Sequence, residues 1–127
     1  MVKNSFLLIA ILSLIYGVIF FITPHWFVDF SAAKSVNVAW LRSIGASIIG
    51  LLFFGCFLIY LNPIGKLQLL KVIAMTSLLQ TLGLIYSRYL NEFSAKNILI
   101  IDITLAIAII VTIYFIALVF TRKKYFN

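Results

Sequence analysis

The sequence is poor in the residues that enzymes commonly use for chemistry. Its 127 residues include only three acids (Asp29, Glu92 and Asp102), one histidine (His25) and one cysteine (Cys56). A single cysteine excludes an internal disulfide and a CxxC redox pair. A single histidine outside the long apolar runs excludes the paired ligands of a b-type haem and a His/Cys/Glu metal cluster. We therefore expect no metal and no cofactor.

Sequence motifs for catalysis are also missing. The chain has no nucleophilic Ser/His/Asp set, no glycine-rich phosphate loop and no second carboxylate near Asp102 in the same apolar run. An enzyme built from this chain would have to work with Arg, Asp, Glu, Gln and Tyr alone. The sequence therefore favours a protein that is not an enzyme.

Charge is scarce as well. Only 10% of the residues are charged, 65% are hydrophobic, and the mean hydropathy is +1.20. A soluble domain of this size is not so apolar. The net charge of +7 comes from bases scattered at the ends of apolar runs, without the contiguous basic stripe that tracks phosphates. We expect the partner to be a lipid bilayer and not nucleic acid.

Long apolar runs are what the sequence has in abundance. About 20 apolar residues at 1.5 Å each cross a hydrocarbon core about 30 Å thick. Four such runs predict helices at about 4–23, 39–61, 67–90 and 97–121. The Asn62-Pro63-Ile64-Gly65 turn makes the second and third an antiparallel hairpin. The predicted fold is all-α: a polytopic membrane protein whose residues 1–127 form one domain, an antiparallel bundle of four transmembrane helices.

The first run and the segment after it need separate interpretation. From Ser5 to Thr23 the run is 19 residues long, whereas the apolar part of a signal peptide has about 7–15. We interpret it as a retained transmembrane helix, with a cleavable signal peptide as the alternative. The next segment mixes aromatic and polar residues, which predicts a short interfacial helix from Trp26 to Ala33, with Trp26 and Trp40 at the same membrane surface.

The distribution of charge predicts the orientation in the membrane. Four crossings place six bases and no acid on the face that carries the termini, namely Lys3, Lys66, Lys71, Arg122, Lys123 and Lys124. The opposite face carries four bases and all three acids, namely Lys34, Arg42, Arg88 and Lys96 with Asp29, Glu92 and Asp102. Because bases are retained on the cytoplasmic side, we expect both termini in the cytoplasm.

The charged residues nearest the membrane interior form the candidate binding site. An Asp or Arg at a helix centre costs about 2.5 to 3.5 kcal/mol on insertion scales, so we expect Asp102 to pair with Arg42 or Arg88. The pair has three interpretations: a structural salt bridge, a polar pocket where arginine binds a carboxylate, phosphate or quinone oxygen, or snorkelling of both groups to the headgroups. Glu92 belongs to the same predicted cluster.

Gln80 completes the predicted cluster of Arg42, Arg88, Asp102, Glu92 and Gln80. It lies near the predicted midplane, where no water is available, so it should hydrogen-bond across helices or contact a ligand. It also lies on one face of the third run with Thr76, Gly83 and Ser87, which we expect to point into the bundle.

Small residues predict where helices approach closely. Ala10, Ser13 and Gly17 form one thin face of the first run. In the second run a stripe of small residues lies on one face of the helix, and the third run contributes the small residue Gly83. The predicted packing residues are Ser43, Ala46, Ser47, Gly50 and Gly83. Packing is the first interpretation of the stripe and dimerisation the second.

Two stretches carry a resemblance to known proteins. One is YGVIFFITPHWF at the end of the first run, and the other is LRSIGASIIGLLFFGCFL, where an arginine precedes glycines and small residues. This pattern resembles small four-helix bacterial membrane proteins of uncharacterised function, of the DoxX-like type. The resemblance covers roughly the first half of the chain. It implies a four-helix bundle of the bacterial inner membrane and no particular activity. The chain lacks a second acid beside Arg42, which many such relatives would be expected to have.

Three functional hypotheses follow. The first is a non-enzymatic integral membrane protein that binds a lipid-like or amphipathic ligand, or a partner's membrane helix, beside the predicted cluster. The second is a channel or transporter subunit, which would need a homo-oligomer because four packed helices leave no aqueous lumen. The third is a small intramembrane enzyme acting on lipid or quinone, with Glu92 or Asp102 as the acid/base.

Overall fold

The computed structural model describes residues 1–31, 38–92 and 98–127, and in these ranges the chain is helical apart from short turns. The elements in chain order are α1 (Val2–Ile22), α2 (Pro24–Ser31), α3 (Val38–Ser47), a π-helical segment (Ile48–Phe53), α4 (Phe54–Leu61), α5 (Leu67–Tyr89), α6 (Ile98–Thr121) and α7 (Lys123–Phe126). The helix α3, the π segment and α4 follow one another without a break and form the second span.

Four helices in the described ranges are long and apolar enough to cross a membrane, at Val2–Ile22, Leu41–Leu61, Leu67–Tyr89 and Ile98–Thr121. The predicted fold class is confirmed. The short helix predicted from Trp26 to Ala33 is present as α2, although its predicted end at Ala33 lies outside the described residues. Its interfacial position stays a prediction. The described residues also leave out Lys34, Lys96, the side chain of Trp40, and residue 97, where the fourth helix is predicted to start.

The packed core lies at the end of the bundle that carries the termini. Phe6 of α1, Phe115 of α6 and Phe126 of α7 are fully buried there. The Phe6 ring stacks on Phe115 at a centroid distance of 5.9 Å and meets the edge of Phe126 at 5.7 Å. Cys56 and other residues of α4 and α5 complete this cluster. We call it the ring core, and it joins all four spans at one end.

The short helix α7 was not predicted. The tail Arg122-Lys123-Lys124 has the composition of a solvated chain end, yet after Arg122 the chain turns and brings Phe126 back under the bundle. The aromatic side chain explains the turn, because it buries its ring against Phe6 while the neighbouring bases stay exposed.

Away from the ring core the helices form two pairs, α1 with the second span and α5 with α6. In the first pair the backbones cross at Gly17 and Gly45. A Cβ atom at Gly45 would lie 2.7 Å from the Phe21 nitrogen and 2.9 Å from the Gly17 carbonyl oxygen. Ala10 and Ser13 are buried together with Gly17, so the predicted thin face of the first run is confirmed.

The predicted packing stripe of the second span does not pack against another helix of the chain. Ser43, Ala46, Ser47 and Gly50 are all exposed, whereas Gly45 is buried. The spacing correctly identified one face of the helix, but lipid and helix interiors are both apolar, so spacing alone does not tell which side faces a neighbour. The prediction for Gly83 is corrected as well, since it is exposed and a Cβ atom there would meet nothing within 4 Å.

Candidate functional site

A cavity of about 790 Å³ lies between the two helix pairs and extends from the middle of the bundle to the end opposite the ring core. Its deeper wall is largely aliphatic, formed by residues such as Leu12, Ile48, Leu52, Ile107 and Val111. The lining also includes the polar residues Ser13, Ser77, Gln80 and Thr81. Ile9 belongs both to this wall and to the ring core. The cavity therefore ends where the ring core begins.

The outer part of the cavity is aromatic and polar. The C-terminal ends of α1 and α5 meet the N-terminal ends of α3 and α6 in this part, because consecutive spans run antiparallel. Tyr16, Phe20 and Phe27 line this part. Phe20 meets Phe27 edge-on at 4.6 Å and Tyr16 at 6.0 Å, so the three rings form a continuous wall. We call this part the mouth.

A hydrogen bond connects the two helix pairs beside the mouth. The Tyr16 hydroxyl lies 3.1 Å from the Thr104 hydroxyl, and Thr104 donates its own proton to the Ile100 carbonyl at 2.9 Å. Because a hydroxyl has one proton to give, Tyr16 is the donor to Thr104. Tyr16 thus links α1 to α6 across the cavity wall.

A chain of hydroxyls holds α5 to α6. Thr81 donates to the Ala108 carbonyl at 3.3 Å, Thr112 lies 2.9 Å from Thr81, and Ser77 lies 2.7 Å from Thr112. All three side chains are buried. In an apolar surrounding such bonds satisfy polar groups that would otherwise be costly. They fix the second helix pair independently of the first.

Sequence reasoning placed this interhelical contact on the neighbouring stripe of α5. Gln80 was expected to bond across helices, but in the described part of the chain its amide has no hydrogen-bond partner. Gln80, Gly83 and Ser87 instead line the cavity. Thr76 bonds the Val72 carbonyl of its own helix. The available signal for the true contact was the four-residue spacing of Ser77 and Thr81.

Glu92 also lines the cavity, held there by the cap that ends α5. The Glu92 N–H donates to the Ser87 carbonyl at 3.1 Å, and the Asn91 N–H donates to the Arg88 carbonyl at 3.2 Å. Asn91 has a φ of 54°. This is the Schellman pattern, in which a left-handed residue folds the chain back over the helix end. The cap places Glu92 at the mouth.

The predicted cluster is divided between the cavity and two other places. Arg88 Nε lies 3.0 Å from Asp102 Oδ1, so the predicted pairing of Asp102 with an arginine is confirmed, with α5 and α6 as the helices that it joins. Arg42 Nη1 instead donates to the Phe21 carbonyl at 2.9 Å and satisfies an end carbonyl of α1. None of these three side chains lines the cavity, whereas Glu92 and Gln80 do. The expected pocket of arginine donors is therefore not the cavity that the fold contains.

The fold and the cavity define the class of the protein: an all-α membrane protein with four helices long and apolar enough to cross a membrane, and a cavity between its two helix pairs. In the ranges 1–31, 38–92 and 98–127, no three His, Cys, Asp or Glu residues lie close enough to hold a metal ion. No family model matches the chain, and no curated protein or solved structure matches it either. The resemblance to DoxX-like proteins stays a prediction.

Proposed function

We propose that this protein binds one lipid-like amphipathic molecule in the cavity between its helix pairs. The observation that carries the proposal is the cavity itself, whose volume of about 790 Å³ lies in the range of about 300–1,000 Å³ that is usual for small-molecule sites. Its aliphatic depth suits a hydrocarbon tail. Its mouth, with the Tyr16 and Glu92 side chains, suits a polar head.

The closed end favours binding over conduction. A channel formed by one chain would need a path through both ends of the bundle, but fully buried rings of Phe6, Phe115 and Phe126 fill one end. A pocket closed at one end can bind a molecule but gives it no path through the bundle. The channel hypothesis would thus need a lumen between chains, which this cavity does not supply.

Orientation is a further part of the proposal. We place the lysine-rich end of the bundle in the cytoplasm because it carries six bases and no acid. The mouth then opens at the outer leaflet. The resemblance to DoxX-like proteins favours a bacterial inner membrane. A reporter that is active only in the cytoplasm, fused after Asn127, should be active, and an inactive but stably inserted fusion would reverse this orientation.

The test of binding compares two exposed glycines, of which one lines the cavity and the other does not. A Cβ atom at Gly83 or at Gly50 would meet nothing within 4 Å, but Gly83 lines the cavity and Gly50 does not. Gly83→Trp should therefore fill the cavity, and Gly50→Trp should leave it empty. Both variants should fold, which circular dichroism and gel filtration in mild detergent would check.

The probe is monoolein, an uncharged single-chain lipid, titrated onto the purified protein and followed by native mass spectrometry. We expect a one-to-one adduct with the unchanged chain and with Gly50→Trp, and at least about tenfold weaker binding with Gly83→Trp, a loss of about 1.4 kcal/mol. Absence of an adduct with the unchanged chain, or equal binding by both variants, would reject the proposal.

A further inference from the structure

We propose that the cavity selects an amphipathic molecule with a positively charged head group, an amine or a quaternary ammonium, and that Glu92 is its counter-ion. This inference rests on the proposed function and names the class of ligand. It differs from the sequence-based expectation of a carboxylate, phosphate or quinone oxygen held by arginine.

The described cavity wall carries a negative charge and no positive one. Glu92 lines the cavity, and no Lys or Arg is among the described residues that do so. The two arginines at this end of the bundle are already engaged, Arg42 by the Phe21 carbonyl and Arg88 by Asp102. Within the described ranges the Glu92 carboxylate has no ion-pair or hydrogen-bond partner. The described wall thus offers one unneutralised negative charge.

The position of Glu92 at the end of α5 strengthens the negative potential at the mouth. Glu92 follows the C-terminal end of α5, where the aligned peptide dipoles place a partial negative charge. A carboxylate at this position is repelled by the helix end, so carboxylate and dipole act together on whatever enters the mouth. Both attract a cation and both repel an anion.

The aromatic wall of the mouth also favours a cation. Tyr16, Phe20 and Phe27 line it in edge-to-face contact, with ring centroids 4.6 and 6.0 Å apart. Aromatic faces attract ammonium groups, and sites lined by several rings recognise quaternary ammonium ligands. A site that combines such rings with one carboxylate has the chemistry that an amine head requires, while the aliphatic depth accepts its chain.

The test uses three ligands with the same sixteen-carbon tail: hexadecyltrimethylammonium, hexadecanol and palmitate. Each competes with monoolein for the protein in mild detergent, followed by native mass spectrometry at neutral pH. The variants are Glu92→Gln and, as the matched control, Asp29→Asn. Asp29 is an exposed acid at the same end of the bundle that does not line the cavity.

We expect the unchanged chain and Asp29→Asn to bind the ammonium at least about tenfold more tightly than the alcohol, and palmitate most weakly. Glu92→Gln should lose most of the preference for the ammonium over the alcohol. A second variant, Phe27→Leu, keeps an apolar side chain without the ring and should weaken the ammonium more than the alcohol.

The outcomes separate the two proposals. If the alcohol binds but palmitate binds as tightly as the ammonium, or if Glu92→Gln keeps the preference, the head-group inference is wrong and the cavity still binds lipid-like molecules. If none of the three ligands competes and monoolein itself does not bind, the proposed function fails and the inference fails with it.

Discussion

The same four apolar helices form both ends of this bundle, yet one end is tightly packed and the other holds a cavity. At the terminal end, the Phe6, Phe115 and Phe126 rings fill the space between the helix pairs. At the other end, each pair is fixed internally, one by the Gly17–Gly45 crossing and the other by the hydroxyls of α5 and α6. Because lipid tails are as apolar as the side chains of the helices, hydrophobicity alone does not drive helices in a membrane to close a gap between them. Side-chain size and specific polar contacts decide which end is packed.

The largest expected effect comes from emptying the packed end. Phe6→Ala removes the central ring of the ring core, and truncation of a buried phenylalanine costs about 3–5 kcal/mol. We expect a loss of stability of that order in unfolding by a denaturing detergent. The control is Phe120→Ala, because Phe120 is 78% exposed. Equal losses for the two variants would show that the packed end is not what stabilises the bundle.

A smaller effect is expected at the glycine crossing. Gly45→Leu drives a side chain into the α1 backbone, since even a Cβ atom would lie 2.7 Å from the Phe21 nitrogen. Overpacking costs about 1–3 kcal/mol. Gly50→Leu is the control in the same span and should be near neutral, because a Cβ atom there meets nothing within 4 Å. The same unfolding measurement ranks the two variants, and equal stabilities would mean that the pair does not cross at Gly45.

The smallest effect is expected from the ion pair between α5 and α6. The side chains of Arg88 and Asp102 are 36% and 47% exposed, and such pairs contribute about 0–1 kcal/mol. A double-mutant cycle with Arg88→Gln and Asp102→Asn should give a coupling energy in that range. Neither variant should change monoolein binding, because neither residue lines the cavity. If either variant lost as much monoolein binding as Gly83→Trp, the Arg88–Asp102 pair would have to be part of the binding site.

The sequence predicts the four spans well because crossing a membrane imposes a strict requirement on length and hydropathy. Both ends of the first and third spans, and the C-terminal ends of the second and fourth, lie within two residues of the predicted positions. The pairing of Asp102 was predictable for the same kind of reason, since an unpaired charge near the membrane interior is costly. Both the spans and the pairing of Asp102 are predictable because the bilayer restricts which sequences can cross it.

The contacts between helices were less predictable. Periodicity finds a face of a helix, but in the second span the stripe from Ser43 to Gly50 is turned outwards while Gly45 makes the contact. On α5 the predicted stripe lies one position away from the buried hydroxyls Ser77 and Thr81. A shift of one residue rotates the contact by about 100°. No local pattern fixes that rotation, because it depends on how the side chains of all four helices fit together.

The cavity itself has no signature in the sequence. It is a volume left between two helix pairs, and its lining residues come from five separate elements or more. Glu92 was named as part of a cluster with arginines, but the cap around Asn91 separates its role from theirs. Only the geometry shows that Glu92 lines the cavity, whereas Asp102 pairs with Arg88 and does not line it.

Because of the π segment Ile48–Phe53, the second span should tolerate the deletion of one residue better than the other spans. A π turn holds one residue more than an α turn and arises where a residue is inserted into a helix. Deleting one residue inside the segment would restore ordinary α geometry and leave Gly45 and Gly55 facing the same neighbours. The same deletion in the middle of α5 would swing every later side chain by about 100°. Insertions and deletions, more than substitutions, should therefore distinguish this span from the other three.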